Sequence, residues 1–103
     1  EIDEAVKLVE GARAKFSKDN LFLYNSACVY GRALEYVQAH PDVPEQAMKL
    51  KKFERQALDD IASAIELKLS AANMKWMTED PDLESIRKHP EFKELAKKPA
   101  VEE

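Results

Sequence analysis

The 103 residues, with a mass of 11.7 kDa, are enough for one small domain and too few for two. Charged side chains make up 35% and hydrophobic ones 45%, the balance of an ordinary globular chain. Sixteen basic against twenty acidic residues leave a net charge of −4, the wrong sign for a chain built to neutralise phosphates. The longest uncharged run, residues 20–31, is too short and too polar to cross a bilayer. Neither nucleic acid nor a membrane is therefore an expected partner. The lone Cys28 excludes an internal disulfide and leaves the redox compartment open. Opening at Glu1 without a signal-like start, the chain reads as a piece of a longer protein, with targeting information lost and a cytoplasmic setting favoured.

Glycine occurs twice, prolines fall at 41, 44, 81, 90 and 99, and no run alternates apolar with polar residues. The period between the prolines is helical throughout. A first helix is expected over residues 3–16, with Ala5, Leu8, Val9, Ala12 and Phe16 as its apolar stripe. Asp19 or Asn20 is available to cap a second helix over residues 21–39. That helix is apolar almost all round in its first half, so it should pack between neighbours. Its small Ser26, Ala27 and Gly31 would let another helix come close. Pro41 and Pro44 end it.

A third helix should begin at 44 or 45 and reach 68, projecting beyond the shorter first one. Ala47, Leu50, Glu54, Ala57, Ile61, Ala64 and Lys68 keep a seven-residue beat along it. A short helix over 71–78 carries Met74, Trp76 and Met77, all three expected in the core. Asp80 caps a further helix through 87, Pro90 opens the last one through 97, and residues 99–103 read as a frayed tail. The fold class is all-α, antiparallel helical hairpins with no sheet: three long helices and two or more short capping ones.

The spacing Ala5-x3-Val9-x2-Ala12 returns as Ala57-x3-Ile61-x2-Ala64. Between the copies, Leu23-x2-Ser26-Ala27-x2-Tyr30 has the spacing of the W-x2-L-G-x2-Y element, eleven residues after Ala12. On these residues the chain resembles the tetratricopeptide repeat family. The likeness implies one domain over 1–98: a B helix of a preceding repeat over 1–18, a repeat over 20–69, and a short-helix cap over 70–98. The two B-helix elements stand 52 residues apart instead of 34, so the hairpin carries 18 extra residues. The run Asp80-Pro81-Asp82-Leu83 followed by Ile86-Arg87 and Pro90-Glu91-Phe92 is similar to the terminal repeat of bacterial multidomain proteins, including serine/threonine kinases with such tails. There Leu83, Ile86, Phe92 and Leu95 would cover the open face of the third helix.

Catalytic chemistry finds little footing. Cys28 lies about 18 Å along one helix from His40, too far for a nucleophile and its base. The two histidines each precede a proline, in no zinc-ligand spacing, and read as exposed helix-end residues favoured by the dipole when protonated. Asp59-Asp60 and Glu79–Asp82 form carboxylate clusters without a calcium-loop pattern, and no phosphate-binding glycine loop exists. No cofactor, metal or reaction is expected. In tetratricopeptide domains that bind a peptide's C-terminal carboxylate, an asparagine five residues before the tyrosine helps hold it, and Asn25 stands in that place. Asn25, Val29, Arg32 and Tyr36 share one face by their spacing. The expected activity is non-catalytic binding of a protein or peptide segment, or of the rest of the parent polypeptide. The alternative is a structural role, as a homodimer or as the unit that completes a solenoid.

Overall fold

A computed structural model describes residues 2–98; Glu1 and the 99–103 tail lie outside the described residues. The chain is all-α. Its elements are α1 (Ile2–Ala12), α2 (Asn20–Ala39), α3 (Gln46–Glu66), α4 (Ala71–Trp76), a 3-10 turn (Pro81–Leu83), α5 (Glu84–Arg87) and α6 (Pro90–Ala96), with no β-strand among the described residues.

The α2–α3 hairpin is the centre of the molecule. Leu23, Ala27, Tyr30 and Leu34 of α2 and Ala57, Leu58, Ile61 and Ala64 of α3 are buried, with Tyr30 against Phe53 at 5.9 Å between ring centroids. Alanines at 57 and 64 keep the α3 seam shallow, so the two backbones approach closely. The caps follow from the sequence. Asp19 Oδ1 accepts from the Leu21 and Phe22 amides at 3.0 and 3.1 Å, and α2 stops before Pro41.

At its far end α3 closes in a Schellman motif. The Lys68 amide donates to Ile65 and the Leu69 amide to Ala64, while Asn20 Nδ2 reaches across to the Leu67 carbonyl at 2.8 Å. Lys68 holds φ 70° there, a conformation that strains a side chain but not glycine. Lys68→Gly should therefore raise stability by about 0.5–1 kcal/mol in urea unfolding, as no side-chain bond is lost.

α1 packs on α2 with Ala5, Val9 and Ala12 of the expected stripe half-buried, but with Val6 rather than Leu8 at its centre. Val6 is buried, with Ile2 and Val9 half-buried beside it, whereas Leu8 is 74% exposed. The helix is apolar on two flanks, and the flank carrying Val6 is the one that meets α2. The helix also ends at Ala12 rather than 16, because the Ala12 carbonyl takes both the Lys15 and Phe16 amides and the chain turns. Phe16 is left stacked on Phe22 at 5.3 Å between centroids. Of the paired small residues, Ala64 is fully buried and Ala12 half-buried.

The remaining elements form a lid over the hairpin. The 3-10 turn and α5 lie against α2, and α6 lies against α3, burying Leu83, Ile86, Phe92 and Leu95. Met74 and Met77 turn inward on α4 and just after it, but Trp76 is 48% exposed. A helix of six residues offers one inward face, and the i, i+3 methionines occupy it. Leu21 is exposed at the start of α2, so the apolar first half of that helix is not covered on every side.

Gly31 does admit a close neighbour, though the neighbour is not a helix. The Asp82 carbonyl sits where a Cβ would be only 2.3 Å away. His89 departs from expectation as well: it caps the start of α6, with Nδ1 accepting from the Glu91 amide at 3.0 Å, so it faces the positive rather than the negative end of a helix.

Candidate functional site

The spacing-derived set Asn25, Val29, Arg32 and Tyr36 lies along one side of α2, three of them exposed and Val29 half-buried. Flanking contacts define its borders. On one side Ser26 and Tyr30 reach Arg13 and Glu10 at the end of α1, with Arg13 Nη2 to Ser26 Oγ at 3.1 Å and Tyr30 Oη to Glu10 Oε2 at 3.0 Å. On the other, Tyr24, Gly31 and Arg32 meet Asp80, Ser85 and Asp82 of the lid. The strip is thus the side of α2 left open between α1 and the lid.

Its four residues are not alike. Arg32 is committed to the lid, with Nε on Asp82 Oδ1 at 2.7 Å and Nη1 on Glu35 Oε1 at 3.2 Å. Asn25 makes no side-chain hydrogen bond among the described residues, so its amide is open to a ligand. Tyr36 stacks on His40 at 4.0 Å between centroids, and His40 Nδ1 donates to the Tyr36 carbonyl at 2.8 Å. That bond fixes the ring at the α2 C-terminus.

Tyr36 also lines a cleft of about 550 Å³ where the start of α1, the end of α2 and the start of α3 meet. Ile2, Val37, Val43, Pro44 and Phe53 give it an apolar lining, with Asp3 and Lys49 as charged groups. A volume in this range takes a large side chain or a small molecule. Sequence reasoning did not find the cleft, because three distant segments build it and no single period marks it. Lys49 and Phe53 of α3 share the cleft with Ile2 and Asp3 of α1.

Two buried carboxylates brace the strip from behind. Asp60, 2% exposed, takes a bidentate pair from Arg13 at 2.8 and 3.0 Å, the Ser26 hydroxyl at 2.6 Å and Gln56 Nε2 at 3.1 Å. Every acceptor position on that carboxylate is filled, and the guanidinium is held charged chiefly by its hydrogen bond to Asp60. The network links α1, α2 and α3 through one point. A serine and an aspartate on faces otherwise occupied by Leu23, Ala27, Ala57 and Ile61 were the signal in the sequence for it.

Asp80 is the second brace. It caps the 3-10 turn through the Asp82 amide at 2.9 Å and accepts from Tyr24 Oη at 2.8 Å and the Cys28 thiol at 3.7 Å. Cys28 Sγ and carboxylate oxygens of Asp80 and Asp82 lie within 4.8 Å of one another, a geometry that three metal ligands share. Here each is otherwise engaged: the thiol and the Tyr24 phenol with Asp80, and Arg32 with Asp82. Burial first, and the adjacent carboxylates second, push the Cys28 thiol far above its ordinary range. The sulfur is then a protonated donor, opposite to what a nucleophile needs. At pH 8 the folded chain should react with a thiol-specific disulfide reagent at least tenfold more slowly than the urea-unfolded chain. Equal rates would contradict this environment.

No helix among the described residues is long and apolar enough to cross a membrane. Comparison with protein-family models, with curated proteins and with solved structures gives no match to this chain.

Proposed function

We propose that this chain is a non-catalytic protein-binding module of tetratricopeptide-like type, which holds a peptide or a segment of its own parent protein along α2. The observation that carries the reading is the continuity of the α2 strip with the cleft. Asn25 offers an amide free to hydrogen-bond a backbone, and Tyr36 leads into an apolar recess for a side chain. Main-chain hydrogen bonds plus one pocketed side chain is a common way to hold an extended segment. The rigid backing supports the same reading, since Asp60 and Asp80 fix α2 against α1, α3 and the lid before any ligand arrives. Cys28, His40 and His89 are each held in a structural contact, with Asp80, the Tyr36 carbonyl and the Glu91 amide, which supports the non-catalytic reading.

Photo-crosslinking from a benzoylphenylalanine at Tyr36, in the full-length parent, tests the proposal. A crosslink to one defined segment, lost when Asn25→Ala is added, is the expected result. Crosslinks scattered over unrelated sequences would reject the surface.

A second reading is self-association through the outer face of α1, favoured by one observation. Leu8 is 74% exposed beside a shallow recess of about 320 Å³ lined with Glu4 and Lys7. Sedimentation across a concentration series separates the two readings. A concentration-independent monomer speaks against the second.

A further inference from the structure

We propose that His89 is an acid-sensitive latch on the lid: taking up a proton, it exchanges its cap on α6 for an ion pair with Glu54 of α3 and loosens α6 from the hairpin. The inference is independent of whether the α2 strip binds a segment.

The ring sits between two partners with opposite demands. Nδ1 accepts from the Glu91 amide at 3.0 Å, which requires that nitrogen to be unprotonated and leaves the ring hydrogen on Nε2. Nε2 lies 3.9 Å from Glu54 Oε1, beyond hydrogen-bond reach but within ion-pair distance. An imidazolium carries hydrogens on both nitrogens. Its Nδ1–H would then point at the Glu91 N–H, donor against donor, and its charge would sit at the positive end of α6. A modest ring rotation removes the donor–donor clash and sets the ring's charge against Glu54.

The surrounding charges leave that exchange open. Arg55 of α3 is held by Asp59 and Glu91, and Arg87 of α5 by the Thr78 and Asp80 carbonyls. Lys88 adjoins the ring in sequence, and the Lys93 amide binds the His89 carbonyl. Of the acidic groups near the ring, Glu91 is engaged with Arg55, and Glu54 makes no other ion pair among the described residues. What the latch controls is the seating of Phe92 and Leu95, both buried where α6 lies against α3. His40 has no such exchange available, because its Nδ1 already donates and protonation keeps that bond.

The test is an NMR titration of the whole chain from pH 8 to 5.5, the interval over which histidines charge. The His89 ring, the Glu91 amide and the exchange protection of residues 92–96, corrected for intrinsic rates, are followed together. The Glu91 amide should move with the His89 ring, and protection should fall about fivefold, the equivalent of losing one N-cap. His89→Asn keeps an accepting cap without a titrating group, so its protection should stay flat. Glu54→Gln removes the ion-pair partner, so no contact between the His89 ring and residue 54 should appear on acidification. A Glu91 amide that ignores the ring, an equal loss of protection in His89→Asn, or a ring-to-residue-54 contact that persists in Glu54→Gln would each overturn the latch.

Discussion

Arg13→Leu is expected to lower the stability of the chain by about 3 kcal/mol at pH 7, because it strands a buried carboxylate. Asp60 is 2% exposed and would keep only the Ser26 and Gln56 bonds. Urea unfolding at pH 7 should show this deficit. Removing the whole set, as Arg13→Leu with Ser26→Ala and Asp60→Leu, should recover most of the loss, since no buried charge remains. A triple variant no more stable than Arg13→Leu would mean that packing, rather than charge, accounts for the role of Arg13.

Gly31→Ala is the second large effect, about 2 kcal/mol, and it should be local before it is global. An added Cβ would lie 2.3 Å from the Asp82 carbonyl, a backbone atom with no rotamer to give way. Either α2 or the 3-10 turn has to move. The turn is the weaker party, held by Tyr24 on Asp80, Arg32 on Asp82 and Ser85 on the Gly31 carbonyl. Hydrogen exchange should therefore accelerate first in residues 80–87, with the centre of the α2–α3 hairpin still protected. Gly11→Ala provides the control. Its added Cβ meets nothing within 4 Å, so it should stabilise by about 0.5–1 kcal/mol through helix propensity alone.

The parts of this architecture governed by local chemistry were legible in the sequence. Asp19, Pro41 and Pro44 bounded α2 to within a residue, and Asp80 and Pro90 marked the two lid segments, because capping and proline sterics act over a few residues. What depends on which face meets which neighbour was less so. Leu8 and Val6 are equally plausible core residues on an isolated α1, and only α2 chooses between them. Asp59 and Asp60 are adjacent and chemically identical in the sequence, yet one pairs with Arg55 in solvent and the other anchors three helices. Trp76 was expected inside on bulk alone, and the brevity of α4 turned it outward. The strip on α2 was readable from spacing. The cleft at its end needed three segments brought together by the fold.

The claim on which the account depends is that the exposed side of α2 is a binding surface. It is tested most directly by mapping amide shift changes on the isotope-labelled chain as the crosslinked segment is added. Changes are expected along Asn25, Val29, Arg32 and Tyr36 and into Val37, Val43 and Phe53 of the cleft. Changes confined to the outer face of α1 around Leu8, or to α4 around Trp76, would contradict it.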